Sequence, residues 1–355
     1  MVNAPAIAIA LAMIVSASAQ PPPHPWQWEE FPPIPDPEGF AAPFAGVSGG
    51  ALLLAGGANI PGEKWIDGFV KVWHDRVFVL APESREWQVA GQLPSPLAYG
   101  VSITVDDSLL CLGGSDSETH HTTCFRLRWD GTALKTEPLP DLPRACANAC
   151  GALVGRTVYL AGGLEHPDAT QALHAFWALD LDATPLAWKE LEPWPAAERM
   201  LAVAGSHAGS FYLFSGAKLS AGPDGKAVRN YLSDAWRFAP GQGWAKLPAL
   251  PRPAVAAASP APVIDGTLAI FSGDDGTKVN FTPVRNHPGF PTDVLLYDPG
   301  AGFWRHRPET SAFSRATVPS VIWNGQVIFP NGEVRPRVRT PTVVGLVQLR
   351  PPAQP

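Results

Sequence analysis

A short segment near the carboxyl end of the chain, residues 331–340 (NGEVRPRVRT), places one carboxylate among three guanidinium groups. Glu333 is followed at alternate positions by Arg335, Arg337 and Arg339. A carboxylate can take up and return a proton, and an arginine can bind an anion through two parallel hydrogen bonds. Only 16% of the 355 residues are charged, so four charges within seven positions favour an acid–base group beside an anion site. The alternative is a run of solvated charges on the surface. The position of Glu333 in the fold decides between these two interpretations.

The composition predicts many short strands joined by turns. The chain has 40 Pro, 33 Gly and 13 Trp, which is unlike the composition of a helical bundle. Its length suits two average domains or one large β domain. The net charge is −6 and no block of basic residues occurs, so we expect no nucleic-acid partner.

The amino-terminal segment has the pattern of a secretory signal peptide. Residues 6–15 are apolar, and Ala17, Ser18 and Ala19 form a small-residue cleavage pattern, although no Lys or Arg precedes them. The apolar run is too short to span a bilayer, and no later stretch is long enough. We therefore expect residues 1–19 to be a signal peptide and the mature protein, without a membrane span, to be periplasmic or secreted. An uncleaved anchor or a disordered tail is the alternative.

Four cysteines occur, and their spacing does not match a zinc site. Cys146 and Cys150 are four apart on a predicted strand, roughly 13 Å at strand rise, which is too far for a disulfide. Cys111 and Cys124 lie on two predicted strands of one hairpin. Both a disulfide and a pair of buried thiols fit that arrangement.

Six segments share an apolar strand that ends in a glycine pair or its equivalent: LLLAGGANI, LLCLGGSDS, VYLAGGLEH, FYLFSGAKL, LAIFSGDDG and VIFPNGEVR. Their last motif glycines are Gly57, Gly114, Gly163, Gly216, Gly273 and Gly332. A repeat of about 50 residues with this signature resembles the kelch motif, in which each repeat forms one four-stranded blade. We therefore predict an all-β fold, a six-bladed kelch-type β-propeller that forms a single domain over residues 26–350.

The remaining strands of each repeat follow in order. The strand before the glycine segment is rich in Ala, Gly and Ser, which suits the crowded axis of a propeller. Four outer strands open with a tryptophan that we expect to pack between blades: Trp87, Trp188, Trp244 and Trp304. The last repeat lacks an outer strand, and residues 26–35 (WQWEEFPPIP) resemble the missing one. We predict that this amino-terminal strand closes the propeller, which leaves no open sheet edges there.

Long, varied loops join the second and third strands of several blades, and they lie on the face where one blade connects to the next. Function tends to sit on such loops. Glu333 begins the loop of blade six on that face. Connections between blades carry Arg199 and Arg315, and Tyr99 and Asn148 lie at the same level. We expect these side chains to converge near the axis, whereas a surface ion pair is the alternative for each arginine.

The segment NGEVRPRVRT, together with LAYGVSITVDDSLLCLGG, GFAAPFAGVSGGALLLAGGAN and HPGFPTDVLLYDPGAGFW, resembles the N-acetylneuraminate epimerases, or sialic acid mutarotases. The resemblance covers roughly residues 26–349. The order of segments is similar to the cyclically permuted branch of that family, in which the NGE blade comes last. Fold alone would not indicate function, because propellers host many activities.

The resemblance implies an isomerase that interconverts the α and β anomers of N-acetylneuraminate or a related 2-keto sugar acid. It places the proton acceptor at Glu333 and the arginine–threonine pair of the motif at Arg339 and Thr340. The motif's basic residue falls on Arg335, and Arg337 stands where a small glycine is expected, a position that suggests φ > 0. No metal, nucleotide or redox cofactor is implied.

A sugar acid is itself an anion, so we expect an arginine to bind its carboxylate. Arg339 is the first choice, followed by Arg335, Arg199 and Arg315, with Tyr99 and Asn148 as further substrate-binding residues. Two other functions are weighed against this one. A copper radical oxidase needs a tyrosine–cysteine crosslink, and none of the five tyrosines is placed convincingly beside a cysteine. A non-catalytic propeller that binds glycans or proteins would keep the arginines and would not need Glu333.

Overall fold

A computed structural model describes residues 26–308 and 313–347. These residues form 30 strands and a single 3-10 helix, Val284–Asn286. The predicted signal peptide, residues 1–19, and the last three residues of the predicted domain lie outside the described residues. None of the helical structure within those ranges has the length and apolar character needed to cross a bilayer.

The strands are numbered in chain order. The first is β1 Gln27–Phe31. Blade one contains β2 Phe44–Ser48, β3 Ala51–Ala55, the loop hairpin β4 Ala58–Asn59 and β5 Val72–Trp73, then β6 Arg76–Leu80 and β7 Gln88–Gln92. Blade two contains β8 Val101–Val105, β9 Ser108–Leu112, β10 Cys124–Trp129 and β11 Leu134–Leu139. Blade three contains β12 Cys150–Val154, β13 Thr157–Ala161, β14 Phe176–Asp180 and β15 Trp188–Glu190.

Blade four contains β16 Val203–His207, β17 Ser210–Phe214, the loop hairpin β18 Ala217–Ala221 and β19 Ala227–Tyr231, then β20 Ala235–Ala239 and β21 Gly243–Leu247. Blade five contains β22 Val263–Ile264, β23 Thr267–Phe271, β24 Val294–Asp298 and β25 Phe303–Arg307. Blade six contains β26 Val321–Trp323, β27 Gln326–Pro330, the loop hairpin β28 Glu333–Arg335 and β29 Val338–Arg339, then β30 Val343–Val347.

These strands form six antiparallel four-stranded sheets, which confirms the predicted six-bladed β-propeller. The innermost strands are crowded, as their small residues predicted. A Cβ atom added at Gly46 would lie 2.6 Å from Oγ1 of Thr104 in the next blade, and one added at Gly151 would lie 2.8 Å from Cγ1 of Val101. Real Cβ atoms essentially never approach so closely, so larger residues would force the blades apart.

The motif glycines end the second strand of each blade with a repeated backbone turn. The first position of the pair has φ near +60° even where it is not glycine, as at Ser215, Ser272 and Asn331. The second position is always glycine, with φ +104° at Gly332 for example. This turn carries the chain from the second strand into the loop that follows, so it sets the starting point of every such loop.

The amino-terminal strand closes the propeller as predicted. Strand β1 pairs antiparallel with β30 from Gln27 opposite Val347 to Phe31 opposite Val343, so it forms the outer strand of blade six. Trp28 on β1 stacks on Phe313 with 6.0 Å between ring centroids. The two ends of the described chain therefore share one sheet.

The outer-strand tryptophans join neighbouring blades. Each of the four indoles donates its Nε1–H to a backbone carbonyl just after the outer strand of the preceding blade, at 2.7 to 2.9 Å. The pairs are Trp87 with Pro32, Trp188 with Pro140, Trp244 with Glu192, and Trp304 with Pro248. The prediction that these tryptophans pack between blades is confirmed, and the bonds satisfy the indole donors.

All four cysteines are free and buried. In the β9–β10 pairing, Cys111 lies opposite Phe125 and Cys124 lies opposite Leu112. This offset of one residue directs the two thiols to opposite faces of the sheet, because side chains alternate along a strand. Burial raises the pKa of Cys124 to about 12. Of the two sequence-based alternatives, the structure has buried thiols.

Candidate functional site

Six residues, one from each blade, form a closed ring of backbone hydrogen bonds around the propeller axis, here called the axial ring. Each has a left-handed conformation with φ between 46° and 63°. Each amide donates to the carbonyl of the equivalent residue in the preceding blade at 2.7 to 3.0 Å. The six residues are Ala42, Tyr99, Asn148, Leu201, Ala256 and Thr317. Tyr99 and Asn148 therefore lie at the same level in neighbouring blades.

A cavity of about 540 Å³ lies between the axial ring and the long loops, here called the loop-face cavity. Its size is within the range of small-molecule sites. Tyr99 and Asn148 form part of its floor, and charged groups from several loops form its walls. The charged residues that line it are Lys71, Asp116, Arg229, Asp274, Glu333, Arg337 and Arg339.

The opposite end of the propeller is chemically different. A larger cavity of about 960 Å³ opens there, and its polar lining comes from neutral residues such as Ser102, Thr104 and Ser206. No charged side chain of the described chain lines it. Proton transfer and anion binding need charged groups, so the loop-face cavity is the candidate site.

Backbone contacts hold Glu333 at the edge of the axial ring. It follows Gly332 directly, and its amide donates to the Ala316 carbonyl at 2.8 Å. The Ala316 amide in turn donates to the Glu333 carbonyl at 2.8 Å. Since Ala316 adjoins the ring residue Thr317, the starting point of the blade-six loop is fixed relative to the axis. The Glu333 side chain is only 19% exposed.

Arg339 is the partner of Glu333 within the loop hairpin of blade six. The two residues lie opposite each other in the β28–β29 pairing, with 3.4 Å between Glu333 Oε1 and Arg339 Nη1. The Arg339 side chain is 5% exposed, yet its Nε and Nη1 atoms have no hydrogen-bond partner among the described residues. Buried donors are almost always paired, so this guanidinium is prepared for an acceptor supplied by a ligand.

Arg337 forms the turn between β28 and β29. It has φ +70°, which agrees with the expectation that this position of the motif needs a left-handed residue. Its amide donates to Glu333 Oε1 at 2.9 Å, and its Nη1 donates to the Lys64 carbonyl at 3.0 Å. The guanidinium also lies over the Phe69 ring, 4.2 Å from its centroid. Arg337 thus orients Glu333 and ties the blade-six hairpin to the long loop of blade one.

Three of the predicted arginines are not among the residues that line the cavity. Arg335 points to the Trp65 ring, with 5.9 Å between its guanidinium carbon and the ring centroid. Arg199 is fully buried and donates to both carboxylate oxygens of Asp234, at 2.9 and 2.8 Å. Its remaining donors bind the backbone carbonyls of Ala197 and Ser215. Arg199 therefore acts within the fold.

Arg315 has a similar structural environment. It is 4% exposed, and its Nη1 lies within 3.1 Å of the backbone carbonyls of Phe329, Asn331 and Thr342. Its Nη2 donates to Thr342 Oγ1 at 2.7 Å. This arginine links the strands of blade six beneath the cavity, which explains its burial without a ligand.

Four charged residues of the cavity were not predicted from the sequence, namely Lys71, Asp116, Arg229 and Asp274. Lys71 places its ammonium 4.4 Å from the centre of the Trp73 ring and 4.1 Å from that of Tyr99. It lies in a long irregular loop, where no periodic pattern indicates its position. Asp274 follows Gly273 as Glu333 follows Gly332, so the aligned repeat segments did contain a signal for it.

Within the described ranges, no group of three or more His, Cys, Asp and Glu side chains is arranged to hold a metal ion. A carboxylate such as that of Glu333 can transfer a proton, and an arginine such as Arg339 can bind an anion. The fold and site thus define a six-bladed kelch-type propeller with a charged cavity on its axis.

Comparison with solved structures supports this description of the fold. A structure described as "Structure of YjhT" superimposes with a TM-score of 0.64 and 14% sequence identity. The match covers 88% of this chain and 96% of that one. At this identity the likeness concerns the fold alone.

Sequence comparisons give the family resemblance for part of the chain. Residues 19–136 match the family model described as N-acetylneuraminate epimerase. An N-acetylneuraminate epimerase of Brucella suis is 40% identical over 110 residues, and one of Yersinia enterocolitica is 41% identical over 111 residues. Each alignment spans 28% of this chain and 28% of the relative. The resemblance seen in the sequence is confirmed for this portion, which contains Lys71 and Tyr99 but not Glu333 or Arg339.

Proposed function

We propose that this protein is a mutarotase that interconverts the α and β anomers of N-acetylneuraminate or a related 2-keto sugar acid. The observation that carries the proposal is the pair formed by Glu333 and Arg339. A carboxylate faces a buried guanidinium, two of whose nitrogen atoms have no hydrogen-bond partner within the described residues, inside a cavity large enough for a sugar. The similarity of residues 19–136 to the N-acetylneuraminate epimerases supports the same reaction.

The reaction requires one base and one acid. The base removes the proton of the anomeric hydroxyl, the bond between the anomeric carbon and the ring oxygen breaks, and the ring oxygen takes up a proton. The open form is a ketone. Rotation about the bond to the ketone carbon followed by attack of the same hydroxyl on the other face gives the opposite anomer, with no net change of atoms or electrons.

Glu333 has the geometry of the base. Its Oε1 accepts the amide of Arg337 and lies nearest Arg339, whereas its Oε2 has no hydrogen bond within the described part of the chain. One oxygen therefore holds the side chain in place and the other is available to a substrate hydroxyl. The same carboxyl group, once protonated, can return the proton during ring opening or closure.

Arg339 has the properties of the carboxylate ligand. Its planar guanidinium matches the two oxygens of a carboxylate, and its Nε and Nη1 atoms have no hydrogen-bond partner within the described residues. In a 2-keto sugar acid the carboxylate is attached to the anomeric carbon. Binding it at Arg339 therefore brings the anomeric hydroxyl close to Glu333, which is 3.4 Å away from that guanidinium.

The direct test is two-dimensional exchange NMR on N-acetylneuraminate near neutral pH, with and without the protein. We expect exchange cross-peaks between α and β anomers to grow faster with the protein than in buffer alone. Binding of the sugar without faster exchange would instead indicate the non-catalytic glycan-binding propeller.

We also propose that the chain is exported, which rests on the apolar run and small-residue pattern of residues 1–19. Mass spectrometry of periplasmic or secreted material is expected to find a mature amino terminus at or near Gln20. An intact Met1 in that material would contradict cleavage.

A further inference from the structure

Asp274 in blade five occupies the place that Glu333 has in blade six. Each directly follows the last motif glycine of its repeat. Each also forms an isolated antiparallel bridge next to the axial ring, Asp274 with Val255 and Glu333 with Ala316. Both side chains line the loop-face cavity. The repeat therefore directs a second carboxylate into the same cavity from the neighbouring blade.

The Asp274 carboxylate is held in a defined orientation. Oδ2 accepts the Tyr231 hydroxyl at 2.8 Å, and Oδ1 accepts the Gly276 amide at 2.9 Å. Burial, together with the nearby Asp274, raises the pKa of Tyr231 to about 12, so the phenol keeps its proton and remains the donor. An ionised carboxyl group has about four acceptor sites, so two are left for a ligand.

We propose that Asp274 determines substrate specificity by accepting hydrogen bonds from hydroxyl or amide N–H groups of the sugar acid, and that Tyr231 positions it. This inference rests on the proposed function and names how the same cavity selects its substrate. The ligand groups concerned are those remote from the sugar's own carboxylate. A neutral polyol chain and an acylated amine supply such donors.

Asp274 and Arg339 together favour one orientation of the sugar. Its carboxylate is repelled by Asp274 and attracted by Arg339, which is nine-tenths buried and has no hydrogen-bond partner at Nε and Nη1 within the described residues. The donor groups of the molecule then face Asp274. Asp274 and Glu333 thus have different tasks, because Glu333 lies beside Arg339.

The test compares two ligands by isothermal titration calorimetry on the full chain. One is N-acetylneuraminate, and the other is a 2-keto sugar acid that lacks the glycerol chain and the N-acetyl group. Asp274→Asn keeps the shape and removes the charge. We expect it to weaken binding of N-acetylneuraminate roughly ten- to a hundredfold, the range for hydrogen bonds to a charged group, and binding of the truncated acid by less than about threefold.

Asp275→Asn is the matched control. Asp275 is the next residue, and its Oδ1 binds Thr277 outside the residues that line the cavity. We expect this variant to bind both ligands as the unmodified protein does. Equal weakening of both ligands by Asp274→Asn, or no weakening of either, would overturn the inference.

The positioning role of Tyr231 is tested by a double-mutant cycle. Tyr231→Phe is expected to weaken binding of N-acetylneuraminate, and to cause no further weakening in the Asp274→Asn background. Additive losses would mean that Tyr231 acts independently of Asp274, which contradicts the positioning role.

Failure of this inference is distinguishable from failure of the proposed function. If the unmodified protein accelerates anomer exchange and Asp274→Asn binds both ligands normally, only the specificity role is wrong. If the unmodified protein binds N-acetylneuraminate with the expected ligand selectivity and does not accelerate exchange, the mutarotase proposal is wrong and the specificity role is retained.

Discussion

Glu333 and Arg339 face each other across the blade-six hairpin, with 3.4 Å between Oε1 and Nη1. One guanidinium therefore serves two groups. It forms an ion pair with the proposed base, and its Nε and Nη1 atoms have no hydrogen-bond partner within the described residues, so they are available to the carboxylate of the proposed substrate. Because both proposed roles depend on the same short hairpin, we expect substrate binding and proton transfer to be coupled by geometry.

Glu333→Gln is expected to reduce the rate of anomer exchange by a factor on the order of a hundred to ten thousand, the range for loss of a general base. The amide keeps the shape and the hydrogen bond from Arg337, so binding of the sugar should be largely retained. Exchange NMR measures the rate of anomer exchange, and calorimetry measures the affinity for the sugar. Glu165→Gln in the blade-three loop is the control, because Glu165 does not line the cavity. Exchange at the unmodified rate in Glu333→Gln would show that another group is the base.

Arg339→Lys is expected to weaken binding of the acid sugar, because an ammonium cannot form two parallel hydrogen bonds to a carboxylate. We expect a loss of roughly tenfold or more in affinity, the range for hydrogen bonds to charged groups. A neutral analogue in which the carboxylate is replaced should be much less affected. Arg335→Lys is the matched control in the same hairpin, since Arg335 lies against Trp65. Similar losses of affinity for the acid sugar and for the neutral analogue would argue against a contact between Arg339 and the substrate carboxylate.

The ion pair between the buried Arg199 and the partly buried Asp234 predicts a pH-dependent stability. Burial alone would raise the pKa of Asp234, but the hydrogen bonds and charge of Arg199 hold it below its usual value. Because the folded-state pKa is lowered, the stabilisation is complete above the unfolded-state pKa of about 4 and is lost as the pH falls through the folded-state value. Urea unfolding between pH 3 and 7 measures this dependence.

Asp234→Asn leaves the Arg199 guanidinium buried without a counter-charge. We expect the free energy of unfolding at pH 7 to fall by about 3–5 kcal/mol, with a weaker dependence on pH below about 4. Asp182→Asn is the control, since its partner Arg156 is on the surface and such pairs contribute about 0–1 kcal/mol. Equal effects of the two substitutions would contradict the structural role of Arg199.

Deletion of residues 26–35 removes the outer strand of blade six and the Pro32 carbonyl that binds Trp87. The deletion exposes the edge of β30, so we expect lower soluble yield or aggregation and a lower melting temperature. Thermal unfolding followed by circular dichroism compares it with the full chain. An unchanged melting temperature would show that closure by β1 does not stabilise the propeller.

The fold was predictable because its unit is short and repeated. The glycine segments recur six times in the sequence, which predicted the number of blades. Residues 26–35 resemble the other outer strands, which predicted the closure of the propeller. Side-chain direction was harder to predict. Arg199 and Arg315 precede inner strands, but their donors are used by Asp234 and by carbonyls that are distant in sequence. Lys71 was missed because its place depends on the path of an irregular loop.

The axial ring has an electrostatic consequence. Its six amides all point the same way around the axis, from each blade to the one before, so their dipoles follow one another in a circle. In a sixfold arrangement the tangential components cancel, unlike the aligned dipoles of a helix, which add up to a partial charge at each end. The hydrogen bonds of the ring therefore give no net dipole within the plane of the ring. We therefore expect the lining side chains to attract or repel an anionic ligand, and single substitutions can alter this effect while the backbone of the ring is retained.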